Sequence, residues 1–310
     1  MSARRPAVIG VAAGAIVLLV VAVMALVWPN EMSQGPFSAR SEAAIQVSKV
    51  DEAHFAPVPD RPIFVAILGH DARPGEAVSR ADALHLVGIN PGTGQATVLN
   101  VPRDTYVDIP GGGRDKINAA YARGGPVLQA QALGQLVGVQ VSFVISTSFG
   151  GLVDMVDQLG GVDVDVPVPM NDVFSRAVFP RGRVHMNGTQ VLAFSRNRHV
   201  NGGDFARTQH QGLVIQSALA KLRAEGTSPP NLFRWLAVLS RHSRFDGISV
   251  PEIYRLGRLA ASVDPNRLNN VTMPGYAGYA GAASVVFPAP AAAGLFADFR
   301  DDAVMGAASR

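Results

Sequence analysis

Six apolar residues, Ile63 to Leu68, run without interruption and stop at Gly69. A strand with one wet face alternates apolar and polar side chains, so an unbroken run of this length marks a strand buried on both faces. Its sheet must be covered on both sides, and the rest of the chain carries helical patterns that suit this. Residues 84–89 and 95–101 read as two more strands, joined by the turn cluster Asn90-Pro91-Gly92-Thr93-Gly94 into a hairpin. Asn118 is placed to cap a helix toward Arg123, 126–137 carries a second helical pattern, and 143–145 reads as a buried strand. Leu152, Val153, Val156 and Leu159 share one face of a helix over 149–159, whereas 162–166 alternates as a half-exposed strand. Helices over 187–195 and 205–224 follow, then a capping box at Ser249 and Glu252, and a last strand at 285–287 before a short terminal helix. The predicted fold class is α/β, without internal repeats.

Arg4 and Arg5 precede a stretch, 6–30, that carries no charged residue. As a helix its apolar core, 7–28, spans about 33 Å, enough for a bilayer, while the apolar region of a cleavable signal peptide runs to roughly 7 to 15 residues. The expectation is therefore a cytoplasmic tail over 1–6, a retained transmembrane helix over 7–28, and everything beyond it outside the cell membrane, since basic residues stay on the cytoplasmic side. The proline-containing stretch 29–61 reads as a linker, with a helix over 43–50, and 62–310 as one domain. Cysteine is absent, which excludes a disulfide framework and thiol chemistry and leaves stability to the packed core. Lys49, Lys116 and Lys221 are the only lysines, so the basic balance, with a pI of about 9.5, is carried by arginine. Neither a basic recognition helix nor an aromatic stacking series accompanies it, so no nucleic-acid partner is expected. An anionic substrate or anionic lipid surface fits the charge better.

Five short segments carry groups suited to phosphate: Gly69-His70-Asp71-Ala72-Arg73, Arg80-Ala81-Asp82, Pro102-Arg103-Asp104-Thr105, Lys116-Ile117-Asn118, and Arg196-Asn197-Arg198 with Asp204, Arg207 and Gln211 after it. Asp71 lies just past the first strand and Asp82 just before the next, where two carboxylates can reach one hard cation; either alone also suits a turn. Arg73, Arg80 and Arg103 fall in the same strand-end zone, and a guanidinium fork matches phosphate oxygens in pairs. Open α/β sheets bind ligands at the carboxyl ends of their strands. Arg207, His210 and Gln211 stand at i, i+3 and i+4, near the start of a helix that favours anions. Asp204 reads equally as a plain N-cap and Arg207 as a surface charge.

Taken in order, these segments, with Val101 to Pro110, Lys116 to Tyr121, Leu159 to Val164 and Asn187-Gly188, resemble the LytR-CpsA-Psr family over roughly 62–222. The resemblance implies an α/β/α sandwich around a central mixed β-sheet, preceded by one transmembrane helix, and a membrane-anchored extracytoplasmic phosphotransferase. Such an enzyme takes a glycopolymer from a polyprenyl pyrophosphate carrier and joins it to peptidoglycan through a phosphodiester. Its implied partners are that lipid-linked donor, the peptidoglycan acceptor and membrane lipid. Asp71 and Asp82 then correspond to carboxylates associated with Mg²⁺, and Arg73, Arg80, Arg103, Arg196, Arg198, Arg207 and Gln211 to pyrophosphate contacts. Arg103, Arg80 and Asp104 are the implied catalytic residues, with Asp104 or Asp82 as alternative bases. The prenyl chain would occupy an apolar pocket with the 149–159 helix as a wall. One departure stands out: His210-Gln211-Gly212 replaces the usual Arg-Gln-Gln, which predicts one weakened phosphate contact. A non-catalytic anchored module that holds an anionic glycolipid or polymer is the alternative reading.

Overall fold

The structure, a computed structural model, describes residues 45–50, 61–71, 80–226 and 243–306, together with 228, 230, 231, 234, 235 and 238. The expected membrane helix over 7–28, the tail before it and Arg73 lie outside the described residues. Among the described residues no helix is long and apolar enough to cross a membrane.

In chain order the elements are β1 (Ile45–Lys49), β2 (Ile63–His70), β3 (Ala81–Ile89), β4 (Ala96–Asn100), β5 (Tyr106–Ile109), β6 (Gly113–Lys116), α1 (Ala119–Val137), β7 (Val141–Ser148), α2 (Phe149–Gln158), β8 (Val162–Val166), β9 (Met170–Asp172), β10 (Ala177–Phe179), β11 (Gly182–Met186), α3 (Gly188–Arg196), α4 (Gly203–Ala224), β12 (Ser243–Asp246), α5 (Val250–Ser262), β13 (Leu268–Thr272), β14 (Gly275–Ala280), β15 (Ala283–Pro288) and α6 (Ala291–Asp302). Seven strands form the central sheet in the order β12-β1-β7-β2-β3-β4-β13. The sheet is mixed: β2 runs parallel to β7 and antiparallel to β3, and β4 runs antiparallel to β3 and parallel to β13. The carboxyl ends of β2 and β4 therefore meet the start of β3 along one edge of the sheet.

As the apolar run in β2 requires, its side chains go alternately to two cores. Phe64, Ala66 and Leu68, with Leu84, Leu86 and Leu99, pack against Leu133 and Val137 of α1 and Phe296 and Phe299 of α6. On the opposite face Ile63, Val65, Val87 and Val98 pack against Leu259 of α5 and Ile215 and Leu219 of α4. Helices thus cover both faces of the sheet. Burying a side chain of this size contributes about 1.5–3 kcal/mol, so the two cores can hold the fold without a cross-link.

Several local expectations change. Residues 45–49, expected to be helical within a linker, form β1, a sheet strand between β7 and β12. Its partners lie about one hundred and two hundred residues away, and a local pattern carries no trace of them. β3 begins at Ala81, so Asp82 lies on the strand and not before it. Gly69 pairs with Ala83 but His70 with Ala81, which leaves Asp82 as the extra residue of a β-bulge. Asn118 makes no side-chain capping bond, and α1 breaks at Gly124 and Gly125 just ahead of Pro126. Asp204 is no cap either: Gly202 precedes α4, and Asp204 sits in its first turn.

Two close contacts fix the helices that carry the polar motifs. Gly188, at the start of α3, donates its N–H to Asp157 Oδ1 at 2.7 Å, and a Cβ there would lie 2.2 Å from the Val153 carbonyl oxygen. Under α4, His85 Nδ1 donates to Asn100 Oδ1 at 2.7 Å. Asn100 Nδ2 passes the chain to Asn270 Oδ1 at 2.6 Å, and Asn270 Nδ2 to the Gln209 carbonyl of α4 at 3.2 Å. A Cβ on Gly212 would fall 2.2 Å from Asn270 Oδ1. Desolvation pushes His85 down to about 4, against the pull of its Asn100 hydrogen bond. His210 is buried with its ring 4.9 Å from that of Phe194, and desolvation takes it to about 4 as well.

Replacing Gly188 with alanine must push α3 off α2. Gly188→Ala is expected to lower unfolding free energy by about 1–3 kcal/mol in urea titration. Both buried histidines are neutral in the fold, whereas in the unfolded chain they charge near pH 6.5. Protons therefore bind the unfolded state preferentially between pH 6.5 and about 4, and stability falls as pH drops through that window. The urea midpoint should decline less steeply across it in His210→Phe than in the wild type.

Candidate active site

The β2–β3 edge brings the first three motifs together. Asp71 follows directly on β2, and the bulge at Asp82 turns its carboxylate toward the same edge, a common use of bulges near functional sites. Past β4, the Pro102 carbonyl accepts from Thr105 N at 3.0 Å and Thr105 Oγ1 at 2.6 Å, and the Arg103 carbonyl accepts from Asn118 N at 3.2 Å. This turn fixes Arg103, whose guanidinium bonds Asp82. Desolvation works against the Arg103 charge, but the hydrogen bond and charge of Asp82, with Asp104 and Asp204, hold it above its ordinary value. The Arg103 Nε atom is buried without a hydrogen bond.

The fifth motif reaches the same place from α3 and α4. Arg196 ends α3 with its guanidinium 5.5 Å above the Phe149 ring. Asp204 Oδ1 is shared: Arg207 Nη2 lies 2.8 Å from it and Arg198 Nε 3.5 Å. Arg207 is only 4% exposed; its Nη2 is ion-paired with Asp204, and its Nε makes no hydrogen bond. Desolvation lowers it to about 10; Asp204 and Asp82 oppose that shift, Arg198 and Arg103 add to it. It stays charged at neutral pH. Gln211 donates to the Ser195 carbonyl at 3.1 Å and leaves its Oε1 unbonded.

Asp71, Asp82, Arg103, Arg196, Arg198, Arg207 and Gln211 all line one open cavity of about 850 Å³. A smaller apolar annex of about 80 Å³ adjoins it, sharing Phe149, Leu192 and Gln211 and lined further by Ile67, Leu152, Val214 and Ile215. Not every expected residue arrives. Arg80 is exposed at the start of β3 and does not line the cavity. Asp104 lies behind Arg103, 3.0 Å from Lys116 Nζ, which accounts for the Lys116 motif as support. His210 is also absent from the wall. At about 100° per residue, position 210 lies about 60° to one side of Arg207 and 211 about 40° to the other, so the imidazole turns under Phe194. The departure from the usual arginine therefore changes a core contact in this chain.

The far wall went unread in the sequence. Asp172, Phe174, Ser175 and Arg176, from the β9–β10 hairpin, and His199 complete the cavity. Strands of three residues leave no periodicity to detect, and Asp172 and His199 are 27 residues apart. For a divalent cation, the wall offers Asp71 and Asp82. No group of three His, Cys, Asp or Glu side chains suited to a metal occurs among the described residues. Two carboxylates facing an arginine-lined cavity fit a cation that shares its shell with water and phosphate oxygens.

Known proteins bear on this geometry. The chain is 38% identical over 165 residues to the polyisoprenyl-teichoic acid–peptidoglycan teichoic acid transferase TagU of Bacillus mycoides, a match covering 52% of each protein. The chain thus spans about half the length of the curated relatives it matches. Among solved structures, TagV of B. subtilis superposes with a TM-score of 0.64 at 24% identity, over 77% of this chain and 95% of that one. The LytR-Csp2A-Psr enzyme from Actinomyces oris gives 0.61 at 24% identity, over 77% and 90%. Both likenesses are of fold. With its mixed sheet, its arginine-lined cavity and a match to the sequence pattern described as the LytR_cpsA_psr family over residues 34–295, the chain belongs to that family.

Proposed function

We propose that the chain transfers a glycopolymer from a polyprenyl pyrophosphate carrier to peptidoglycan outside the cell membrane, forming a phosphodiester, with residues 7–28 as its anchor. The observation that carries this reading is the convergence of Arg103, Arg196, Arg198 and Arg207 on one cavity next to an apolar annex, with Arg103 Nε and Arg207 Nε buried without hydrogen bonds. A pyrophosphate with a lipid tail satisfies both features. The name of the TagU relative, a teichoic acid transferase acting on peptidoglycan, supports the substrate class.

In this mechanism Arg207 and Arg103 grip the pyrophosphate oxygens, and Arg196 and Arg198 extend the positive wall. As the acceptor hydroxyl attacks the sugar-linked phosphorus, the bond to the bridging oxygen breaks and charge collects on the departing polyprenyl phosphate. Preorganised arginines stabilise that charge without moving, which is how phosphoryl transfer is chiefly accelerated. Asp71 and Asp82 are the residues that would hold Mg²⁺. When bound, the ion supplies charge neutralisation on phosphate oxygens. Asp82 also keeps Arg103 aimed into the cavity. Phe149 and Leu152 of α2 form the annex wall for the first part of the prenyl chain.

Arg103→Ala and Arg207→Ala are each expected to cut transfer of a lipid-linked glycopolymer by roughly 10²–10³-fold with folding retained. Turnover at the wild-type rate in either variant would remove its assigned role. Filling the annex with Leu152→Trp should raise KM for a long-prenyl donor several-fold while a water-soluble short-chain pyrophosphate is processed as before. Equal effects on both donors would place the prenyl chain elsewhere.

A further inference from the structure

Transfer to a hydroxyl requires a base for its proton, and the carboxylates near the arginines are poorly placed for that task. Asp82 is hydrogen-bonded to Arg103, and Asp104 is paired with Lys116 at 3.0 Å and lies outside the cavity wall. Asp71, like Asp82, is assigned to the cation in the mechanism above.

The far wall carries a different arrangement. Asp172, 5% exposed, accepts from His199 Nδ1 at 2.7 Å and from Ser175 Oγ at 2.6 Å through the same oxygen, while its other oxygen accepts from Phe174 N at 3.0 Å. An ionised carboxylate only accepts, so the proton of the imidazole sits on Nδ1 and the lone pair is left on Nε2. His199 itself is 68% exposed and lines the cavity. Its backbone is fixed too, since His199 N donates at 2.7 Å to Asn197 Oδ1, and Asn197 is 1% exposed at the end of α3. A buried carboxylate that sets the tautomer of an open imidazole is the orienting half of a base pair found in acyl-transfer enzymes of unrelated folds. Imidazole is also the side chain whose ordinary titration falls in the physiological range.

We infer that His199 is the general base of the transfer reaction, taking the acceptor hydroxyl proton at Nε2, with Asp172 as the positioning residue; this rests on the transferase reading above. The oxygen–hydrogen bond of the acceptor breaks and its electron pair forms the new phosphorus–oxygen bond. The bond from that phosphorus to the bridging oxygen breaks in turn, and polyprenyl monophosphate leaves with its electrons. His199 then holds one proton, which returns to solvent from its exposed edge. The charged groups around the cavity that share its field are Asp71, Asp82 and Arg103 from the sheet end, Asp172 and Arg176 from the hairpin, Arg196 and Arg198 from the end of α3 and just past it, and Asp204 and Arg207 from α4. The centroid of the Phe174 ring lies 6.5 Å from that of the imidazole.

The test compares wild type, His199→Gln, His199→Ala and Asp172→Asn in the full chain, using a polyprenyl-pyrophosphate glycopolymer, a peptidoglycan acceptor and Mg²⁺. Loss of a general base typically costs roughly 10²–10⁴-fold in rate. His199→Gln is expected to lose kcat on that scale with donor KM unchanged, and to lose the acid limb of the wild-type pH profile of kcat/KM. Added imidazole should restore part of the rate to His199→Ala, and Asp172→Asn should fall between His199→Gln and wild type. The inference fails if His199→Gln keeps the wild-type kcat, or if its defect lies in donor KM alone, which would make His199 an anion contact. A wild-type chain that binds the donor but transfers nothing overturns the transferase reading and this inference with it; active wild type with an unaffected variant overturns this inference alone.

Discussion

A guanidinium that is 4% exposed has to meet its counter-charge inside the protein, and Arg207 meets Asp204, an aspartate that Arg198 draws on as well. Arg103 lies close enough for its charge to weigh on Arg207, and Asp82, which pairs with Arg103, is the other carboxylate acting there. Positive charge therefore exceeds negative charge along this wall, in surroundings dry enough to strip an arginine of much of its hydration. Burial of that kind is costly unless something anionic arrives to accept the free N–H groups. In the reading proposed above, two linked phosphates supply the missing charge and acceptors.

Holding such a wall in place needs elements that do not relax. The sheet edge supplies Asp71, Asp82 and Arg103 on a backbone clamped by strand pairing, a bulge and the turn after Pro102. The other arginines ride on α3 and α4. One of these is pressed onto α2 at Gly188 and the other onto the sheet at Gly212, where Asn100 and Asn270 leave no room for a side chain. The chain His85–Asn100–Asn270–Gln209 ties β3, β4 and β13 to α4 by hydrogen bonds, the innermost of which, His85 to Asn100, is shielded from water. Such bonds are strong where the local dielectric is low, and they register the helix against the strands.

Much of this was legible in the residues. The apolar run of β2 implied two cores, and the two cores are there. The hairpin at 90–94, the helix over 149–159 and the alternation at 162–166 were each written in local period and turn chemistry. Asp71, Arg103, Arg196, Arg198, Arg207 and Gln211 came together because strand ends and helix starts have fixed directions. Illegible were the features set by distant partners. β1 takes its strand form from β7 and β12. Asp82 owes its aim to a register shift, and His210 its burial to Phe194. The hairpin wall around Asp172 is made of strands too short to have a period.

The two walls of the cavity differ in a way that matters for chemistry. Among the arginines, Asp82 pairs with Arg103, and Asp204 with Arg207 and Arg198, while Asp104 behind them pairs with Lys116. These pairs hold the guanidinium groups in fixed positions, which suits charge stabilisation. On the hairpin side Asp172 is pulled down to about 2 by hydrogen bonds from Ser175 and His199, so it remains a fixed anion that orients an imidazole lining the cavity. In the reading proposed above, the arginines bind the phosphates and the imidazole takes the proton, from one cavity that both line. An interchange of those roles would fail on both counts, since a guanidinium has no acceptor site for a proton and a single imidazole lacks the paired donors of an arginine fork.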